Sequence, residues 1–501
     1  MMRNVLECDV VIVGGGPVGV TLAVLLAQRG VSVIVAEKAP EIHPLPRAAH
    51  IDHEGMRVLQ EAGVAQQAMR TSRRGDRYDF INAKGDVLLS FEAGERIAPG
   101  GWPSGNMIHQ PSIEAHLREA LAKRDPSALR SQWEATGFQD TETGVVVQVA
   151  TPEGNREVHA RYLVGADGAR STVRRAHDIE FDDLGFEEQW LVVDAIVHDF
   201  DRMPKFIMQV CDPVRPTTCS LMGEGRHRWE FMIKPGETAE ELSEDESIAG
   251  LLEPWKVDGA VSLERKAVYT FRARIAREWR KGHVLLIGDA AHQTPPFAGQ
   301  GLCSGLRDAA NLAWKLTAIV RDGAPDSVLD TYQPEREPNV RATIEMAIMM
   351  GRTVCITDPV AAAERDRQMI AARAAGQSPD GSFNFPPIDR GLILAGAPGA
   401  GQYFAQPCAG ESGSLKLDDV LGAGAWLITR TPAAPVDGLV TVTLDDPRVA
   451  AFRDALEREL AIHKAEAVLV RPDRYIFGTG NAGELSKAWS ALLTPQARVA
   501  A

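Results

Sequence analysis

The sequence predicts an α/β fold: a parallel sheet with flanking helices, interleaved with a second β-sheet and followed by a small α/β unit. Three observations predict it. Residues 9–38 read as strand, glycine turn, helix, strand. A distant run, "HVLLIGD", ends on Gly288-Asp289 without a glycine fingerprint of its own, so it is expected to complete the unit that the first run opens. After a Pro- and Gly-containing stretch at 376–387, residues 393–501 resume short apolar runs around a helical one.

The first element is "DVVIV", a β-branched run of the kind that fills a buried parallel strand. Gly14-x-Gly16-x-x-Gly19 follows at once, with Pro17 inside it. "VTLAVLLAQRG" then has helical length and stops at Gly30. "VSVIVAE" is a second strand ending on Glu37, 23 residues after Gly14, with Lys38 beside it. This is a dinucleotide fingerprint in full context. The glycines permit a tight turn and close approach of a pyrophosphate, the helix start supplies free N–H groups, and Glu37 suits ribose hydroxyls. By itself it does not separate FAD from NAD.

Two further strand ends narrow the choice. Asp289 can accept ribityl hydroxyls. The turn after it, with Pro295, Pro296, Gly299 and Gly301, enters a long amphipathic helix whose first amides, on Leu302 and Cys303, would face an anionic flavin edge. "RYLVGADGARSTVRR" brings Asp167-Gly168 to a third strand end. With one motif on the ribose–phosphate end and another on the ribityl and ring, the expected cofactor is FAD. No cysteine or histidine stands at an evident linkage position, so binding should be non-covalent.

Composition sets bounds. The chain has 501 residues, 45% hydrophobic and 24% charged, with a net charge of −14 and a pI near 5.4. That balance argues for a globular protein and against a nucleic-acid partner. Cys8, Cys211, Cys219, Cys303, Cys355 and Cys408 are scattered, so neither a disulfide framework nor a metal site is expected. "MMRNVLECD" runs straight into a strand without a signal-peptide pattern, and no apolar run is long enough to span a bilayer. A cytoplasmic protein without a membrane partner is expected.

Gly14–Gly19, Asp167-Gly168 and Gly288-Asp289 together resemble the three signatures of single-component (class A) FAD aromatic hydroxylases, the para-hydroxybenzoate and phenol hydroxylase type. The resemblance covers about residues 8 to 350. It implies a Rossmann-like FAD domain of the GR2 type. "PRAAHID" is similar to the segment whose arginine, here Arg47, lies along FAD. "IHQPSIEAHLREAL" is similar to the segment whose glutamine, here Gln110, touches the ribityl side; "YQPEREP" is also typical. "CDPVRP" and "RWEFMIKPGET" resemble the 3-(3-hydroxyphenyl)propionate hydroxylases. A flavin-dependent halogenase is a poorer match, since "RWEFMIKP" lacks the second tryptophan of that group. A non-catalytic FAD-binding redox protein is disfavoured by three intact flavin motifs.

The expected division is a FAD-binding monooxygenase domain at 1–375, with its substrate sheet mainly at 78–100 and 180–275, a linker at 376–392, and a unit at 393–501. The last resembles the thioredoxin-like domain of phenol-hydroxylase relatives, lacks CxxC, and is expected to serve packing or dimerisation, which makes a homodimer the expected assembly.

The resemblance implies that NADH or NADPH reduces FAD, and that O2 forms a C4a-hydroperoxyflavin that hydroxylates a small phenolic or related aromatic substrate. A heteroaromatic or polyketide-type substrate is the other reading. Water must be kept out, and a phenol benefits from a base. No residue identifies itself as that base. His50 and Asp52 are candidates from their place after Arg47, and Pro296 is a candidate for shaping the oxygen-reacting face. Arg228 and Tyr269 are candidate pocket residues. Arg215, Arg226 and Arg228 could pair with a substrate carboxylate or be ordinary strand-edge charges. His292 reads as structural. Cys303 departs from the asparagine of the para-hydroxybenzoate enzyme and reads as inert packing.

Overall fold

The computed structural model describes residues 5–92, 97–377 and 385–494. Its central sheet is built on the strand Val5–Val13, which lies parallel to Val33–Glu37 on one side and to Gly154–Gly165 on the other. Val10, Val11, Ile12 and Val35 have no exposed surface, as strands covered on both faces require. Leu129–Ser131 continues the sheet beyond Val33–Glu37, and Val284–Leu286 continues it beyond Gly154–Gly165, both parallel. Strands Glu134–Thr141 and Gly144–Thr151 form an antiparallel meander onto Gly154–Gly165.

The register of this sheet matters most for the site. Ala36, Val13, Gly165 and Leu286 lie side by side in one row. Glu37, the Gly14 loop, Asp167-Gly168 and Gly288-Asp289 therefore leave the same edge of the sheet from four adjacent strands. Three strand spacings, about 14 Å, separate Glu37 from Asp289. A dinucleotide reaches that far, and a single phosphate does not. The carboxyl ends of parallel strands are where open α/β sheets bind ligands.

The second sheet has the order His292–Gln293, Val261–Ala276, Phe181–Val197, Arg226–Met232, Thr217–Leu221, Ile207–Cys211, Arg77–Asn82, Val87–Glu92. These are the strands expected at 78–92 and 180–275, although Phe181–Val197 and Val261–Ala276 are longer than their apolar stretches suggest. Residues 93–96 of the expected sheet region lie outside the described residues. One face packs Leu191, Val193, Trp229 and Phe231 against Leu242, Ile248 and Leu252 from the helices Ala239–Leu242 and Asp245–Leu252. Side chains alternate along a strand, so Val192, Asp194, Arg228 and Glu230 share the opposite face.

Helix Pro17–Gln28 packs on helix Gly301–Arg321. Gly305 permits the approach, because a Cβ there would stand 2.6 Å from Val18 Cγ2. Helices Tyr332–Val354 and Pro359–Ala374 follow.

The C-terminal unit has a four-stranded sheet in the order Leu439–Thr443, Ala425–Thr429, Ala467–Val470, Ile476–Gly480. The first two are parallel; Ala467–Val470 is antiparallel to both of its neighbours. Its "EAVLVRPDRYIFGTG" stretch forms the last two of these strands, joined by a turn. The expected linker needs correction. Residues 378–384 lie outside the described residues, but Ile388 and Leu392 are buried. Leu392 N donates to Glu335 Oε1 at 2.7 Å, and its carbonyl accepts from Arg471 at 3.0 Å. This end of the segment is a docked strap.

Candidate cofactor and substrate site

The glycine loop is fitted to a close neighbour. Gly14 has φ +112°, and a Cβ on it would lie 2.4 Å from the Ala166 carbonyl, so only glycine fits. At Gly16 a Cβ would meet no atom within 4 Å; that side of the loop is open. Helix Pro17–Gln28 has no side-chain cap, which leaves its first amides for an anion. The Glu37 carboxylate accepts from Gly15 N at 2.6 Å and Ala39 N at 2.7 Å. It closes the loop and retains lone pairs for ribose hydroxyls. Lys38 is exposed.

At the second strand end, Asp167 Oδ2 accepts from Thr172 N at 2.6 Å and Val173 N at 3.2 Å. Its Oδ1 is buried with no hydrogen-bond partner, and a Cβ on Gly168 would meet nothing. A buried, unsatisfied carboxylate oxygen costs free energy. That oxygen needs a donor, and a hydroxyl of a bound cofactor or a water molecule would supply it.

At the third, Asp289 is accessible to solvent but stands in a crevice. Desolvation by its walls raises its carboxyl above the usual range, opposed by His292 and Arg47. The turn beneath it is held from inside by Asp308, which no sequence cue singled out. Asp308 Oδ2 accepts from Gly288 N at 3.2 Å and pairs with His292 Nε2 at 2.7 Å, while Oδ1 accepts from Arg336 Nε at 3.0 Å. His292 is thus structural, as expected. Helix Gly301–Arg321 also starts uncapped, so the amides of Leu302 and Cys303 are free to face a ligand. Among the residues present, these three loops fit FAD: one uncapped helix start for the pyrophosphate, Asp289 for the ribityl chain, and a second uncapped start for the ring.

Arg47 and Gln110 come together differently from the expectation. The Arg47 side chain is exposed. Gln110 spends its Oε1 on Arg47 N at 3.1 Å and Ala48 N at 2.8 Å. It shapes the Arg47 loop from behind.

Several catalytic and substrate expectations meet a different arrangement. Asp52 is not poised as a base. It caps helix His53–Glu61 through Gly55 N at 2.8 Å and pairs with Arg307 in the interior. Arg307 is among the charges that hold its carboxyl low against desolvation. His50 Nδ1 faces the Gly299 carbonyl at 3.0 Å, and burial lowers its pKa. Neutral His50 therefore braces the turn at Gly299, whose φ is +64°. Pro296 opens the short turn Pro296–Ala298; Phe297 behind it is buried against Phe186, Trp190 and Phe271. The Cys303 thiol points at the His50–Asp52 strand, taking Asp52 N at 3.4 Å, so only its backbone is placed for a cofactor.

Arg228 is spoken for. It holds Asp194 at 2.6 and 2.9 Å and donates to the carbonyls of Pro46 at 2.6 Å and Arg47 at 2.9 Å. It anchors the Arg47 loop and is not free for a substrate carboxylate. Arg215 pairs with Glu237 and Arg226 with Glu264. Tyr269 is bonded to Arg265. In their place the inner face offers a polar row that sequence reading missed. Thr218 donates to Gln209 Oε1 at 2.8 Å, Gln209 Nε2 to Tyr78 Oη at 2.8 Å, and Tyr78 to the Phe297 carbonyl at 2.6 Å. Only strand register could have revealed it.

A fold of this kind with three such loops defines a FAD-binding flavoprotein. Residues 7–347 match the family model described as FAD binding domain, and the chain belongs to that family. It is 38% identical, over 95% of its length and 93% of the relative's, to a probable NADH-specific resorcinol 4-hydroxylase of Rhodococcus jostii. It is 34% identical, over 97% of its length and 93% of the relative's, to a 3-(3-hydroxy-phenyl)propionate/3-hydroxycinnamic acid hydroxylase of Mycolicibacterium smegmatis. Among solved structures, the flavin-dependent monooxygenase PieE with FAD and substrate matches with a TM-score of 0.80 at 21% identity, over 97% of this chain and 99% of that one. Aklavinone-11 hydroxylase with FAD and aklavinone matches at 0.77 and 24%, with the same coverage. These two show the fold alone. Among the described residues no helix is long and apolar enough to cross a membrane.

Proposed function

We propose that the chain is a FAD-dependent monooxygenase that hydroxylates a phenolic ring with NADH and O2. The observation that carries this reading is the row of four strand ends beneath a sheet whose inner face presents polar groups to the same loops. The full-length likeness to named aromatic hydroxylases supports it.

Bound FAD would take two electrons from NADH and activate O2. The chain's own residues do the rest. The Gly14 loop and its helix start hold the pyrophosphate, Asp167 accepts from a cofactor hydroxyl or water beside it, Asp289 orients the ribityl chain, and the Gly301 helix start favours negative charge on the reduced ring. Gln110, Arg228 and Asp194 fix the Arg47 loop. Tyr78 ties the substrate sheet to the Pro296–Ala298 turn, which keeps the ring-facing wall closed to water.

In this reading the C-terminal unit is a thioredoxin-like domain without CxxC, supported by its strand order and by Ala467–Val470 running against its neighbours; its service is packing, and a homodimer is the assembly proposed. The test is purified yellow protein given NADH, 18O2 and a panel of phenols. Phenol-stimulated NADH oxidation with one 18O atom in the product is expected. Stimulated oxidation yielding only H2O2 for every phenol would sink the assignment.

A further inference from the structure

On the inner face of the second sheet, the Glu230 carboxylate has no settled partner among the described residues. Glu230 is only 7% exposed. No described residue donates a hydrogen bond to it, and Arg228 Nη1, the nearest cation, stands 3.8 Å away and is committed to Asp194 and the Arg47 loop. Its position is fixed by register. Glu230 lies level with Thr218 on one side and Val192 on the other. Trp229 and Phe231, its sequence neighbours, are packed into the opposite face. From Thr218 the polar row runs through Gln209 and Tyr78 to the Phe297 carbonyl, beside the turn that precedes the Gly301 helix. Two residues earlier on the same strand, Arg228 grips the Pro46 and Arg47 carbonyls. The carboxylate is therefore suspended between the two loops that flank the expected ring position.

We propose that Glu230 accepts the hydrogen of the substrate's phenolic hydroxyl and, by its charge, selects neutral phenols over aryl carboxylates. This rests on the hydroxylase reading above. The step is a proton transfer: the phenolic O–H bond breaks, its electron pair stays on the oxygen, and the proton bonds to a Glu230 carboxylate oxygen. The ring so enriched is attacked at a position ortho or para to that oxygen by one atom of O2: the new C–O bond forms as the O–O bond breaks, the ring C–H then gives up its proton to restore aromaticity, and the second oxygen atom leaves as water. The two electrons that this requires come from NADH. The proton on Glu230 returns to water as product leaves.

Charge accounting supports both halves. The groups facing Glu230 are Arg228 on its own strand, Asp194 and Arg265 on the strands beyond, and Tyr78 across the row. Two arginines and two carboxylates leave this buried cluster neutral, and Asp194 is bound by both arginines. An aryl carboxylate would add an unpaired negative charge beside Glu230, and like charges in a desolvated site are costly. A neutral phenol instead supplies the donor that the carboxylate lacks. Burial pushes the Glu230 carboxyl up against the pull of Arg228, with Asp194 adding to the rise and Arg265 opposing it. That brings its proton affinity toward that of a phenol, as a general base needs.

Glu230→Gln keeps the shape and removes the base; Glu230→Asp keeps the charge and moves it back. The measurements are FAD content, turnover, and dissociation constants for resorcinol and 3-(3-hydroxyphenyl)propionate, read from the flavin absorbance change on mixing without NADH. Wild type should bind and hydroxylate resorcinol, with kcat/KM at least ~10-fold above that for the propionate. In Glu230→Gln, FAD content should hold, kcat on resorcinol should fall by ~100-fold or more, the acid limb of the pH profile should vanish, and binding of the propionate should tighten. Glu230→Asp should recover part of the rate. A Glu230→Gln enzyme with wild-type kcat, pH profile and ligand preference overturns the proposal, as does a wild type that prefers the propionate. A wild type that hydroxylates no phenol overturns the hydroxylase reading instead.

Discussion

Two aspartates at strand ends, Asp52 and Asp289, have opposite surroundings. Asp289 has no described partner and opens onto the crevice, whereas Asp52 is locked between Arg307 and the Gly55 amide. Asp289→Ala is expected to weaken FAD binding by ~1–3 kcal/mol, the scale of a lost hydrogen bond to a charged group. Titration of apoprotein with FAD measures it, and an unchanged dissociation constant would refute the role. Asp52→Asn keeps a side chain able to cap the helix and leaves Glu54, 2.7 Å from Arg307, to hold the guanidinium. We expect a loss of ~3 kcal/mol, the low end for a broken buried pair, seen in the urea midpoint. The pH–rate profile should stay put; a shifted profile would restore Asp52 as a base. Asp289 was legible because a strand end followed by breakers announces itself locally. Asp52 was misread because its partner lies 255 residues away. Arg228 was misread for the same reason, and Glu230 was missed because "RWEFMIK" shows alternation but not which strands stand beside it.

At the scale of elements, each βα turn was legible from its own residues, and so was the sharing of one cofactor. The common row through Ala36, Val13, Gly165 and Leu286 was not, since parallel strands separated by a hundred residues or more declare no register. The helix start at Gly301 tests the arrangement. A Cβ there would meet only Thr294 Cβ, at 3.9 Å, so the protein itself leaves room for a side chain. Gly301→Val should therefore fold normally. Its methyls would intrude on the ligand side and hold the flavin edge off the free amides of Leu302 and Cys303. The expected result is a lower flavin reduction potential and slower reduction by NADH, with the melting temperature little changed. A variant with full FAD and an unaltered potential would show that this helix start does not face the ring.

Across the whole molecule, the C-terminal unit is bound by charge as well as by apolar contact. Glu335 is completely buried and accepts from Arg471 at 2.6 Å, Lys315 at 2.8 Å and Asn311 at 2.8 Å. Asp473 Oδ2 also takes Arg471, at 2.6 Å. Nearby, Trp314 stacks on Trp489 with ring centres 5.7 Å apart, and Asp418 joins Arg57 to Arg474. Despite desolvation, Arg471 and Lys315 hold the Glu335 carboxyl down at about 2, against an ordinary 4.5. Burial lowers Lys315 to about 8, still above neutral pH, so Lys315 and Arg471 both attract the carboxylate. Because the folded value is depressed, this contribution is fully present above pH 4.5 and is lost as pH falls toward 2. Cutting the chain near Pro387 lets water solvate Glu335 and Lys315, so the main cost is the lost apolar interface. Glu335→Gln is harsher per atom: the unit stays docked while Lys315 loses its anion and Arg471 keeps only Asp473, a change worth ~3–5 kcal/mol. Wild type should therefore melt in one transition, with FAD released as it melts. Glu335→Gln should melt at a lower temperature, with the C-terminal unit undocking before FAD is released, while the truncated chain retains FAD. A Glu335→Gln protein that melts as wild type does would mean that the interface draws its stability from the tryptophan stack, its apolar surroundings and the Asp418 pairs, not from Glu335.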